Sequence, residues 1–222
     1  MMKRCYIDVM KFSELLDIVG DEPVFGTGLL LAGVTDVPAV QRQLAGWVRD
    51  GRLVRVRKGL YALERPHRKV DPDPFVISNR LVMPSYVSLE SALHFHEMIP
   101  DVVQGVTAVT TGRVAEFETP LGRYLFHHVM EERFWGAGYA GVARGQRALV
   151  ASPEKALLDL LYLTPGSDDR AYISQLRLQG GARIDRARLW GMVERFGSKK
   201  VERAARLALE ELDREEDGWV ML

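Results

Sequence analysis

Cysteine is all but missing from this chain: the single thiol, Cys5, stands near the first residue, so no disulfide can close within one chain and a reducing compartment fits. Long apolar runs are missing as well. Nowhere do about 18 apolar residues follow one another, and the opening MMKRCYIDVM has neither the apolar stretch nor the small-residue cleavage site of a signal peptide. A soluble cytoplasmic protein is expected. Net charge is absent too, since 30 lysines and arginines meet 30 aspartates and glutamates. A local excess of one sign must then be matched by a deficit elsewhere.

Such an excess is present. Between Val37 and Lys69 nine basic residues (Arg42, Arg49, Arg52, Arg55, Arg57, Lys58, Arg65, Arg68 and Lys69) face only Asp50 and Glu64, a surplus of seven positive charges. Segregation of this kind in a neutral chain points to a nucleic-acid or membrane contact confined to one part. The length, 222 residues, suits one or two domains. It is enough to bury about 70% of the unfolded surface without covalent staples.

Periodicity gives the first part of the chain three helices and a hairpin. Phe12, Leu15, Leu16 and Val19 fall on one helical stripe that Gly20 ends. After the break at Asp21-Glu22-Pro23, VFGTGLLLAG predicts a short extended piece and a brief apolar helix ended by Gly33. A third helix follows, capped by Asp36, with Pro38 in its first turn and Gly51 as its stop. Val40, Leu44, Trp47 and Val48 form its packing face, so Gln41, Arg42 and Arg49 lie outside, with the small Ala45 and Gly46 between the arginines. Leu53 to Arg57 and Leu60 to Leu63 predict two strands around Lys58-Gly59. Val54 and Val56 alternate with Arg55 and Arg57, and the valines are expected to cover the helices while the arginines project outward.

Two helices joined by a short turn, the second with basic and amide side chains on its outer face, followed by a basic hairpin, is the layout of a winged helix-turn-helix domain. Candidate DNA-binding residues are therefore Gln41, Arg42 and Arg49 on the helix and Arg55, Arg57 and Lys58 on the wing. Arg and Gln on the helix suit bidentate contacts to base edges, whereas wing cations neutralise phosphates. Modules of this size also serve as protein-interaction domains, with arginines that only solvate a surface, and that alternative stays open.

ERPHRKVDPDP, Glu64 to Pro74, has no apolar periodicity and reads as a linker, with His67 at most an accessory phosphate contact. The expected division is 1–69 as a winged-helix domain and 70–222 as a larger α+β domain, antiparallel strands flanked by helices. In the second part Ser88 is expected to cap a helix over LESALHFHEM. VTAVTT, AEFET and RYLFHHV read as strands, and GYAGV with RALVA as a hairpin. Ser152-Pro153-Glu154 starts a helix striped by Ala156, Leu157, Leu160 and Leu161; further helices are expected at 170–179, 186–196 and 199–215. The apolar ending GWVML implies cover over Trp219 and Leu222.

No catalytic residue, metal site or cofactor is expected. His94 and His96 diverge by about 200° on a helix, and His127 and His128 point to opposite faces of a strand. Glu90 and Glu97 read as a solvated helix face. Gly197-Ser198 followed by Asp213-Arg214-Glu215 mimics the metal- and phosphate-holding pattern of nucleotidyltransferases, but its second half has helical period where those enzymes have a strand.

SLESAL at 88–93, VTAVTTGRVAEFETPLGRYLFHHV at 106–129, SPEKALLDL at 152–160 and the GLYAL that ends the wing resemble the hallmark segments of AbiEi-type antitoxins of abortive-infection toxin-antitoxin systems, over most of the chain. The resemblance implies an N-terminal winged helix, autorepression at inverted repeats in the operon's promoter DNA, and neutralisation of a nucleotidyltransferase-like toxin in phage defence. It implies no enzyme in this chain. An orphan regulator of the same build and a nucleotide-acting enzyme with its site in the second domain are the alternatives.

Overall fold

The computed structural model describes residues 10–31, 36–101 and 104–220, with side chains through residue 215. Cys5, Gly33, and the side chains of Trp219 and Leu222 lie outside the described part. The chain is α+β, with helices around two sheets.

The first part runs α1 (Phe12–Val19), β1 (Phe25–Gly26), α2 (Gly28–Leu31), α3 (Val37–Arg49), β2 (Leu53–Arg57) and β3 (Leu60–Leu63). α1 begins where the Glu14 carboxylate accepts the Lys11 backbone N–H at 2.9 Å. α3 begins where Asp36 accepts the Ala39 amide at 2.9 Å, which satisfies one of the amides that a helix start leaves without a partner. One core joins Leu15 and Val19 of α1, Leu30 of α2 and Val40, Leu44 and Trp47 of α3, as the 3.6-residue period requires. The strands form an antiparallel sheet in the order β1-β3-β2.

The second part contains α4 (Pro74–Leu81), β4 (Ser85–Val87), α5 (Leu89–Phe95), β5 (Val106–Thr110), β6 (Ala115–Thr119), β7 (Gly122–His128), β8 (Ala137–Gly141) and β9 (Arg147–Ala151). Four helices follow: α6 (Pro153–Leu163), α7 (Arg170–Gln175), α8 (Arg186–Phe196) and α9 (Lys199–Val220). Its six strands lie in the order β6-β7-β5-β4-β9-β8, parallel at β5/β7 and β4/β9 and antiparallel elsewhere. The Gly-Ser and Asp-Arg-Glu segments that mimic a nucleotidyltransferase lie on helix termini and helix: Gly197 caps α8, and Asp213 on α9 pairs with Arg186.

Several expectations are corrected. The sheet of the second part is mixed and not antiparallel throughout, with parallel pairs at β5/β7 and β4/β9, and the helix expected at 170–179 ends at Gln175. Ser88 precedes α5 but makes no cap; its hydroxyl donates instead to Asp159 at 2.8 Å. α5 stops at Phe95, short of Met98, and Glu97 leaves the helix with a φ of +55°, so Glu90 and Glu97 share no helix face. α4 occupies residues that carry no helix in the sequence reading.

The SPEKALLDL helix, α6, buries more than its leucines. Lys155 and Asp159, one turn apart, are both inaccessible to solvent and form an ion pair. Asp159 also accepts the Tyr86 hydroxyl at 3.0 Å and the Ser88 hydroxyl at 2.8 Å. The Lys155 ammonium lies 4.7 Å from the centre of the Trp135 ring and 4.8 Å from that of Phe196. Its stem crosses Gly136, where a Cβ would come within 2.9 Å of the Lys155 Cγ; with a φ of +78° as well, this position suits glycine alone. Burial pushes the Lys155 ammonium down and the Asp159 carboxyl up from their ordinary pKa values, and each is pulled back by its partner. Removing one partner strands the other charge. Lys155→Met is thus expected to cost about 3–5 kcal/mol in urea unfolding, while Lys155→Met with Asp159→Asn, which keeps an acceptor for Tyr86 and Ser88, recovers most of the loss.

Candidate nucleic-acid interface

The packing of α3 sets its outer face. With Val40, Leu44 and Trp47 buried, Gln41, Arg42, Ala45 and Arg49 are exposed and Gly46 is half-buried. Gln43, which sequence reading passed over, is turned inward, its amide donating to the Met10 carbonyl. Arg49 has a distant acid beside it, Asp50 at 4.0 Å.

The hairpin β2–β3 has two apolar faces. Leu53, Tyr61 and Leu63 join the core of α1 to α3, and the Tyr61 ring stacks on Phe25 with centres 6.1 Å apart. Val54, Val56, Leu60 and Ala62 face the other way, into the large core of the second part. This corrects the sequence reading, in which the valines cover the N-terminal helices. Since residues paired directly across an antiparallel ladder share a face, Arg55, paired with Tyr61, stands on the same side of the sheet as α3. The register slips between Arg55 and Arg57, so that one extra residue sits in β2. Such a bulge bends and twists the strand toward its tip. There Gly59, with a φ of +83°, makes the turn beside Lys58. Arg55, Arg57 and Lys58 are all exposed.

Sorting the described lysines and arginines by partner separates this region from the rest. Six have neither an acid within 4.0 Å nor a ring or carbonyl partner: Lys11, Arg42, Arg55, Arg57, Lys58 and Arg113. Four of the six lie between Arg42 and Lys58. The other cations of the basic segment are committed: Arg52 lies over the Phe12 ring at 5.0 Å, Lys69 pairs with Asp21 at 3.1 Å, and Arg65 and Arg68 bind Asp71 at 2.8 and 3.0 Å.

Asp71 belongs to the segment expected to be a free linker, and it is instead a clamp. Besides Arg65 and Arg68 it holds Arg144 from the β8–β9 turn. The Gln146 side chain donates to the Asp71 carbonyl at 2.9 Å and accepts the Asp73 amide at 3.1 Å, and Asp73 accepts the Ala143 amide at 3.2 Å. His67 packs edge-on against Phe12, ring centres 4.9 Å apart, which gives it a structural contact. The end of the hairpin is thereby tied to both parts of the molecule.

The remaining histidines are spread out. His94 is exposed, His96 Nε2 lies 2.8 Å from the Ala151 carbonyl, and His128 Nδ1 lies 2.8 Å from the Gly112 carbonyl. Among the described residues no three His, Cys, Asp or Glu side chains converge on a point that could hold a metal ion. Compared with known proteins, the chain matches no family model and no curated sequence.

The Arg144 hydrogen bond first, and then that of Arg65, holds the Asp71 carboxyl below its ordinary pKa. A depressed carboxylate contributes stability above its unfolded pKa and loses it as pH falls through the folded value. The clamp is therefore expected to hold at neutral pH and to release only in acid, below the usual carboxylate range. Hydrogen exchange of the amides at 67–73, corrected for its intrinsic pH dependence, checks this: protection falls at low pH in the wild type and is already lost at neutral pH in Asp71→Asn.

Proposed function

We propose that this protein binds double-stranded DNA through α3 and the β2–β3 hairpin, used as recognition helix and wing of a winged helix-turn-helix. The observation that carries the reading is the concentration of unpartnered cations: Arg42 on α3, with Arg55, Arg57 and Lys58 on the hairpin. Holding like charges together costs self-repulsion, about 0.5 kcal/mol per pair at ~8 Å in water. A polyanion converts that cost into attraction by releasing its counterions. The exposed Ala45 and half-buried Gly46 between Arg42 and Arg49 leave α3 slim where it would enter a major groove.

In this reading Gln41, Arg42 and Arg49 address base edges, and Arg55, Arg57 and Lys58 neutralise phosphate. The resemblance of SLESAL and SPEKALLDL to AbiEi-type antitoxins extends the proposal. The target DNA is then the chain's own promoter, bound at inverted repeats as an autorepressor, and the partner is a nucleotidyltransferase-like toxin that this protein neutralises in the cytoplasm.

A gel shift on the chain's own promoter tests the reading. Arg42→Ala is expected to cost about 1–3 kcal/mol on the specific site and to relax preference at one base position. Arg57→Ala should weaken all sequences alike and lower the salt dependence by about one unit of slope. No shift by the wild type at low salt, or an undiminished shift by the Arg42→Ala, Arg57→Ala double variant, removes the proposal.

A further inference from the structure

The six-stranded sheet has two outer strands, and among the described residues only one of them is defended. β8 pairs with β9 along its whole length, from Ala137 opposite Ala151 to Gly141 opposite Arg147, without a register slip. Its other edge points away from the sheet. The N–H and C=O groups of such an edge form a template for one more strand, and natural sheets block it with charge, proline, a bulge or a covering segment. The opposite outer strand, β6, carries Glu116 and Glu118 and has β2 alongside it. β8 reads Ala-Gly-Tyr-Ala-Gly, with no charge, proline or bulge; all five residues are exposed or half-buried, and Tyr139 is 69% exposed.

We infer that β8 pairs antiparallel with β8 of a second copy of this chain, joining the two six-stranded sheets across a two-fold axis. Antiparallel pairing of a strand with itself is self-complementary in its hydrogen bonds, as a two-fold interface demands. Charge decides which edge is used. Two β6 strands laid together would bring Glu116 and Glu118 against their own copies, whereas β8 brings no charge against itself. The nearest cation is Arg147 on β9, whose guanidinium lies 5.4 Å from the centre of the Tyr139 ring. In the order β9-β8-β8-β9, with Tyr139 at the axis, the two Arg147 backbones are three strand spacings apart across the sheet and four residues apart along it, about 20 Å in all. That exceeds the ~8 Å screening length at physiological salt. The inference rests on the sheet edge and stands apart from the DNA reading.

Hydrogen exchange and sedimentation across a concentration series test it on the full chain. In the wild type the mass is expected to double as concentration rises, with slowed exchange centred on residues 137–141. Tyr139→Glu sets like charges side by side across the axis and should abolish both effects with an unchanged far-UV spectrum; Tyr139→Phe should keep them. Gly138→Glu, one residue from the axis, is a second charged variant, because nothing lies within 4 Å of the Cβ it would add. A wild type that keeps the mass of one chain throughout overturns the inference. So does a dimer that survives both charged variants, or protection that falls on another segment.

Discussion

The hairpin β2–β3 is the structural constraint on which the rest of the molecule turns, because both of its faces are buried. Of the nine strand residues seven are buried, and the two left over are Arg55 and Arg57. Each large apolar side chain buried contributes about 1.5–3 kcal/mol, against about 0.5 kcal/mol for a like-charge repulsion at the surface. Packing therefore decides where the hairpin goes, and the arginines are carried to the positions that packing leaves open. A hairpin held by one core alone would present its cations on a mobile arm. Here Leu53, Tyr61 and Leu63 hold it from one side and Val54, Val56, Leu60 and Ala62 from the other.

The ties beyond the hairpin use charge where the hairpin uses apolar area. Asp71 gathers Arg65 and Arg68 from the chain just after β3 and Arg144 from a turn more than 70 residues away. Lys69 reaches Asp21, and Arg80 reaches Glu22 at 3.6 Å. Deeper in, the Lys155–Asp159 pair, closed over by Trp135, Phe196 and Tyr86, fixes α6 to β4 and to the chain entering α5. These contacts consume cations and acids in pairs. What stands out against that background is the set Arg42, Arg55, Arg57 and Lys58, cations left without acids.

Much of this was legible in the residues, for reasons that are local. The period of Val40, Leu44 and Trp47 assigns the outer face of α3, the cap at Asp36 marks its start, and the β-branched and aromatic runs mark β5, β6, β7 and β9. What escaped depends on partners far away in the chain. Alternation in β2 says that the valines and arginines oppose each other, but not which of two cores the valines enter. Glu64 to Pro74 has the composition of a flexible linker, and only Arg144 and Gln146 turn it into a clamp. Ser88 is spaced as a helix cap, yet an acceptor 71 residues away claims its hydroxyl. Lys155 and Asp159 look like a solvated i, i+4 pair on a helix, and nothing short of the fold reveals that aromatic rings enclose them.

Arg55, Arg57 and Lys58 are proposed to act together as a phosphate-facing surface beside the base-reading face of α3. The salt dependence of affinity for promoter DNA, followed by fluorescence anisotropy, measures this most directly, because each phosphate contact adds about 0.9 to the slope of log affinity against log salt. Replacing Arg55, Arg57 and Lys58 by glutamine, with the fold intact by circular dichroism, should lower that slope by about 2.7. A slope that does not change, with binding retained, would contradict the account.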